Sequence, residues 1–131
     1  MSLNGMSALW ARTALLWFAV AVSLGLFMGI SQRFEFVPAH AHIGVLGWLS
    51  SSVFAFMSAA ARPAAAAARA PFLHWAAYTL GVAMMTAGLF FAIGLQNHAL
   101  MPFVKIGSSL TVLSVFWAVI MFWPRLRPAA D

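Results

Sequence analysis

The chain contains no cysteine and very few charged residues. Among its 131 residues there are seven Lys and Arg, two acidic side chains and no Cys. The lack of Cys excludes a disulfide framework, a thiolate metal site and a cysteine nucleophile. Charged residues make up 7% of the chain, whereas they make up about a quarter of soluble domains. Since 64% of the residues are hydrophobic, we expect most of the chain to lie in lipid.

The excess of basic over acidic residues does not indicate nucleic-acid binding. The formal net charge is +5, but the basic residues stand singly between apolar runs and form no patch or stripe. Their placement is typical of residues that flank membrane spans. We therefore expect membrane lipid and no nucleic acid among the partners.

Four apolar runs predict four transmembrane helices. A hydrocarbon core of about 30 Å needs about 20 apolar residues of helix. The first run is longer than the 7–15 apolar residues of a typical signal peptide, so we expect it to be retained. We predict an all-α integral membrane four-helix bundle, a single domain over residues 1–131. The predicted spans are residues 9–30, 38–61, 72–95 and 102–123, with an Ala-rich loop over residues 62–71.

The Lys and Arg residues predict the orientation of the bundle. Cytoplasmic loops carry more Lys and Arg than loops on the opposite side. One side has five basic residues and the other has two, so both termini are expected in the cytoplasm of a multi-pass protein of a bacterial inner (cytoplasmic) membrane. The first set is Arg12, Arg62, Arg69, Arg125 and Arg127, and the second set is Arg33 and Lys105.

Small residues mark the expected contact faces of the helices. Small side chains let membrane helices approach closely. Four spans make a thin bundle, and we expect a homodimer because it would bury more surface. The small residues are Ala21, Gly25 and Gly29 in the first span, Gly47, Ser51, Ala55 and Ala59 in the second, Ala77, Gly81, Gly88 and Ala92 in the third, and Gly107, Thr111 and Ala118 in the fourth.

Three of the four histidines fall on the predicted outer side. His40 and His42 open the second span, and His98 precedes the fourth. Imidazole is the commonest side-chain metal ligand, so His42, His40 and His98 are the candidate metal ligands. Met28 and Met101 fall on the same side and could add thioether ligands.

His40 and His42 cannot both face one centre if both are helical. Positions two apart on an α-helix point about 200° apart. Geometry favours His40, because its predicted face also carries Gly44, Gly47 and Ser51 and leaves room for a flat macrocycle or a neighbouring backbone. The alternative is that these histidines bind nothing and are hydrated at the membrane interface.

Other polar and aromatic residues have simple structural interpretations. His74 beside Trp75 is typical of an anchor at the inner interface, and Trp10 is typical of an interfacial belt. The Tyr78 hydroxyl needs a partner, which could be backbone or ligand. Trp48 lies deeper and could line the edge of a cofactor.

Arg33 and Glu35 are expected to form an ion pair in the first outer loop. Either residue could instead meet haem propionates or a substrate. Arg33 is therefore included among the candidate cofactor-binding residues, with His42, His40, His98, Met28 and Trp48.

The stretch from Val37 to Trp48, VPAHAHIGVLGW, resembles a P-A-H-A-H-x-N-x-x-G-W signature. That signature belongs to small four-span membrane proteins described as similar to subunit I of haem–copper oxidases, in the cbb3 and nitric oxide reductase branch. The resemblance implies that His42 is the axial ligand of a low-spin haem near the outer face. Gly44 stands where the family has Asn, and the further histidines of an oxygen-reducing centre are missing. Full oxidase turnover by this chain alone is therefore not expected.

Several functions remain open on the sequence. The first is a haem b protein for electron transfer or for binding NO or O₂, in which His42 is an axial ligand and a redox partner is possible. The second ligand could be His98, Met28, His40 or a histidine of a second copy. The second is a copper-binding membrane protein that uses the outer His and Met residues, since thioethers select Cu(I). The others are a transporter that couples through Glu35 and an accessory subunit of an oxidase-like complex.

Overall fold

The computed structural model describes residues 5–61 and 69–126, and these are almost entirely helical. Helix α1 spans Gly5–Ser31, α2 spans Phe34–Ala60, α3 spans Arg69–Gly94 and α4 spans His98–Arg125. Each is long and apolar enough to cross a membrane. The described ranges contain no strand. The prediction of an all-α four-helix membrane bundle is confirmed, and the chain is a multi-pass membrane protein.

The helices begin three or four residues earlier than the sequence predicted. The loop predicted over residues 62–71 is correspondingly too long, because α3 already begins at Arg69. Pro71 lies in its first turn, where the missing N–H of proline breaks no helical hydrogen bond. Residues 62–68 of the predicted loop, and Arg127, lie outside the described residues.

Two similar hairpins make up the bundle. Gln32 and Gln96 connect α1 to α2 and α3 to α4, and both have a φ of 56°. In each turn the Gln Nε2 donates to the carbonyl three residues earlier, at 2.6 Å. A short 3₁₀ turn and a first-turn proline follow in both. The turns lie 64 residues apart (96 − 32), so the hairpins repeat each other although the sequence shows little more than the shared prolines.

The hairpins stand side by side with both turns at one end. Trp75 Nε1 donates to Thr13 Oγ1 at 2.9 Å, which joins the N-terminal parts of α3 and α1 toward the other end. We call the end that carries residues 32–36 and 95–100 the turn end, and the opposite end the terminal end. All residues of the predicted outer side therefore lie toward the turn end.

Helix α2 changes its pitch just after the histidines. Residues Ile43–Leu49 are π-helical, between α-helical Val37–His42 and Ser50–Ala60. The Tyr78 hydroxyl of α3 donates to the Leu46 carbonyl in this segment at 3.0 Å. Its partner is thus backbone, which was one of the two expected possibilities.

The face predicted for His40 runs through the π-helical segment. A π-helix takes more residues per turn than an α-helix, so positions that would align on an α-helix drift apart. Gly47 lies against α1, where an added Cβ would come within 2.7 Å of Cγ of Trp17. Gly44 has nothing within 4 Å of an added Cβ, so the predicted room is present at this position. The room predicted for a macrocycle is filled at Gly47 by the Trp17 ring.

The closest helix contact joins α3 and α4. A Cβ on Gly81 would lie 2.7 Å from Thr111 Oγ1 and 2.9 Å from the Thr111 backbone nitrogen. A Cβ on Gly107 would overlap the backbone of Met85. The small-residue prediction is confirmed for these helices. It is wrong for Gly29 of α1, which has open space around it.

An aromatic core fills the terminal end. Trp10 is 1% exposed, and its ring lies 4.9 Å from that of Phe54 and 5.7 Å from that of Tyr78. Its prediction as a belt residue is wrong, because α1 turns it toward the other helices rather than toward lipid. His74 is completely buried in the same core, so its prediction as an interfacial anchor is also wrong.

Candidate functional site

His40 lies between α2 and α1. Its Nδ1 is 3.1 Å from the Ala21 carbonyl, and because a carbonyl oxygen only accepts, Nδ1 carries the proton and donates. The ring covers Gly25, where an added Cβ would lie 3.0 Å from the imidazole Cε1. The prediction that His40 lies beside the packing face is confirmed. Nε2 makes no hydrogen bond within the described chain and keeps its lone pair.

His42 has the same protonation pattern on another side of the helix. Its Nδ1 donates to the Pro38 carbonyl one turn earlier, at 2.7 Å. Its Nε2 has no hydrogen-bond partner among the described residues. The side chain is half-exposed, and Val45 and Leu49, one and two turns further on, are 54% and 52% exposed. The free nitrogen of His42 therefore belongs to the periphery of the bundle.

The remaining metal-ligand candidates also lie at the turn end, in different surroundings. His98 is exposed on the 3₁₀ turn that opens α4. Met28 is buried near the end of α1, and Met101 is half-buried. Within residues 5–61 and 69–126, no group of three or more His, Asp or Glu side chains is placed to hold a metal ion.

Trp48 and Arg33 are engaged within the chain. The Trp48 ring is tilted against that of Phe18, with the ring centroids 4.5 Å apart, and it is partly exposed at the surface of the bundle. Arg33 Nε donates to Glu35 Oε1 at 2.6 Å, which confirms the expected ion pair. The Arg33 guanidinium also lies 4.8 Å above the Phe36 ring and donates to the Gly94 carbonyl at 3.4 Å.

His74 occupies a buried site that the sequence analysis did not single out. Its Nε2 donates to the Ser114 carbonyl at 3.1 Å, while the buried Nδ1 has no hydrogen-bond partner. The rings of Phe54, Trp10 and Trp117 lie 5.2 to 5.9 Å from the imidazole. The sequence signal was its four-residue spacing from Tyr78, which places both on the buried face of α3.

A groove lies between α1 and α3 in the half of the bundle toward the turn end. Its volume is about 690 Å³, within the range of about 300–1,000 Å³ of small-molecule sites. Almost all of its surface is apolar, and no histidine contributes to it. Residues that line it include Trp17, Val20, Phe27, Ala83, Ala87 and Phe91.

The fold and the sites place the chain in the class of four-helix multi-pass membrane proteins. Comparison with protein-family models, with curated proteins and with solved structures found no match for the chain.

Proposed function

We propose that the chain is a membrane protein that binds haem b for electron transfer or for binding NO or O₂, with His42 as an axial ligand. The observation that carries this proposal is the hydrogen bond from His42 Nδ1 to the Pro38 carbonyl. Metal-bound histidines usually donate their other ring nitrogen to a carbonyl or carboxylate, which fixes the tautomer and the ring orientation. His42 has this arrangement already, and its Nε2 is free to bind.

The donor set fits haem better than it fits copper. A haem needs one or two axial ligands, whereas the copper alternative needs several His and Met ligands in one place. His40 lies against α1, His42 lies at the periphery of the bundle, and Met28 is buried, so these donors have different surroundings. Two imidazoles give a low-spin haem suited to electron transfer, and one leaves an open position for a diatomic gas.

His40 is the second candidate ligand in the same helix. Its Nδ1 is fixed by the Ala21 carbonyl, and its ring is held against Gly25. This contact makes His40 a good positioning residue, because it fixes the start of α2 against α1. We assign the axial role to His42 rather than to His40, since its surroundings are more open.

The site at His42 is incomplete within one chain. The neighbouring side chains Val45 and Leu49 are exposed, so a flat macrocycle at His42 would be covered on one side alone. We infer a homodimer in which a second copy covers this surface and supplies the other imidazole, with His98 as the alternative donor. Arg33, whose charge is balanced by Glu35, remains a candidate partner for propionates.

The same proposal assigns the sides of the membrane. The described basic residues of the terminal end are Arg12, Arg69 and Arg125, and Arg33 and Lys105 are those of the turn end. By the bias of basic residues toward the cytoplasm, the termini face the cytoplasm and His42 lies near the outer face of a bacterial inner membrane.

An absorption spectrum of the purified full chain tests the function. The chain is expressed with ample haem precursor, and its spectrum is recorded oxidised and after dithionite reduction. We expect a Soret band that His42→Ala abolishes and His74→Phe retains. A wild-type chain with no Soret band, or equal loss in both variants, would contradict the proposal. An accessory role in an oxidase-like complex predicts instead that haem appears after co-expression with a larger partner.

A further inference from the structure

The groove between α1 and α3 is almost free of polar groups that need a partner. Thr86 is buried at its floor, and its hydroxyl already donates to the Val82 carbonyl at 2.8 Å. Ser23 adds one exposed hydroxyl to the lining. An occupant of this groove therefore has to be apolar along its length.

The length of the groove along α1 matches one leaflet of a bilayer. On α1 its lining runs from Trp17 to Phe27, which are ten helical steps apart and therefore span about 15 Å. That length is half of the hydrocarbon core, which is about 30 Å thick. Phe27 lies four residues before the end of α1 at Ser31, so the groove starts near the turn end and stops near mid-membrane.

A pair of opposite charges lies beyond the outer mouth of the groove. The Phe36 ring lies 5.7 Å from Phe27 and 4.7 Å from Phe90, and both of these line the groove. Arg33 stands over Phe36 and pairs with Glu35, and both charged side chains are more than a third exposed. A guanidinium has five N–H donors, so Arg33 keeps donors beyond those that the chain uses.

We propose that this groove binds one acyl chain of a zwitterionic phospholipid from the leaflet at the turn end. The phosphate is held by the free N–H groups of Arg33, and the ammonium of an ethanolamine headgroup is held by Glu35. Charge complementarity selects this occupant, because an acid and a base stand together at the mouth. The groove offers no ligand to haem iron, so the acyl-chain site is separate from His42, and Arg33 is the one residue that both proposals use.

Native mass spectrometry of the detergent-solubilised full chain tests the proposal. Palmitoyl-oleoyl phosphatidylethanolamine is titrated onto the chain, and retained lipid is counted. We expect one lipid that survives delipidation. Ala87→Trp fills the groove and lowers its affinity about tenfold, which equals about 1.4 kcal/mol. The matched control, Leu113→Trp on the exposed surface of α4, leaves the affinity unchanged.

The headgroup is tested separately. Glu35→Gln is expected to shift preference from phosphatidylethanolamine to the anionic phosphatidylglycerol, and Arg33→Gln is expected to weaken both. Equal binding of both lipids in all three proteins would overturn the headgroup assignment and with it the proposal.

Two other occupants would also overturn the proposal. One is a second copy of this chain, shown if Ala87→Trp dissociates a dimer and leaves lipid retention unchanged. The other is an isoprenoid tail, shown if ubiquinone displaces the phospholipid in wild type. The lipid count needs no haem and is expected to be the same in His42→Ala, so a failure here is distinct from a failure of the haem proposal.

Discussion

Three histidines of this chain each donate one ring nitrogen to a backbone carbonyl, and they differ in what surrounds the other nitrogen. Nε2 is free and partly accessible in His40 and in His42, whereas the unpartnered Nδ1 of His74 is sealed among aromatic rings. An unpartnered polar atom in a buried site costs free energy, so His74 reduces stability through this atom and adds stability through its packing.

Substitution of His74 separates these two contributions. We expect His74→Ala to lower the free energy of unfolding by roughly 2–5 kcal/mol, because it leaves a cavity in the aromatic core. His74→Phe keeps an aromatic ring and removes the unpartnered Nδ1 together with the Nε2 hydrogen bond to Ser114, so its cost is expected to stay below about 1.5 kcal/mol. Reversible unfolding in mixed detergent micelles, followed by circular dichroism, measures both. Equal destabilisation by the two variants would contradict this account.

At the scale of the helices, some positions could be predicted from sequence patterns and others could not. The sequence placed His40 on its packing face correctly, since that argument needed only the first turn of α2. It could not predict the π-helical segment Ile43–Leu49, because no residue type marks such a segment. Burial of Trp10 was missed because an aromatic residue near a span end has the same sequence pattern whether it faces lipid or core.

The contact between α3 and α4 gives a prediction at this scale. Gly81→Ala places a methyl group 2.7 Å from Thr111 Oγ1 and 2.9 Å from the Thr111 backbone nitrogen. We expect a loss of about 1–3 kcal/mol from this overpacking. Gly29→Ala is the matched control, since nothing lies within 4 Å of its added methyl group. Thermal unfolding in detergent measures both, and a loss in the control as large as in Gly81→Ala would refute the close approach.

At the scale of the molecule, four antiparallel helices put every predicted ligand at the turn end. The fold class and the approximate spans could be predicted because 18 or more apolar residues in a row have few other solutions. The groove between α1 and α3 could not be predicted, since it arises from the way two hairpins meet. The similarity of the two hairpins could not be predicted either, because their turns agree in backbone shape more than in residue type.

The orientation of the bundle can be measured by labelling introduced cysteines. No native cysteine adds background labelling, because the chain has no Cys. Ala99→Cys lies in the second turn, and Leu126→Cys lies at the terminal end. We expect a membrane-impermeant maleimide to label Ala99→Cys in intact cells and Leu126→Cys only after permeabilisation. The reverse pattern would place the termini outside and move His42 to the cytoplasmic half.

The role of His42 Nε2 as a haem ligand is tested most directly by replacing the side-chain ring with free imidazole. In His42→Gly the side chain is gone, and exogenous imidazole can enter the position that it leaves. We predict that His42→Gly purifies without a haem spectrum and that added imidazole with haem restores the Soret band. The same treatment is expected to leave the spectrum of His40→Gly unchanged. If imidazole fails to restore the spectrum of a folded His42→Gly protein, or if that variant binds haem as well as the wild type, His42 is not the ligand.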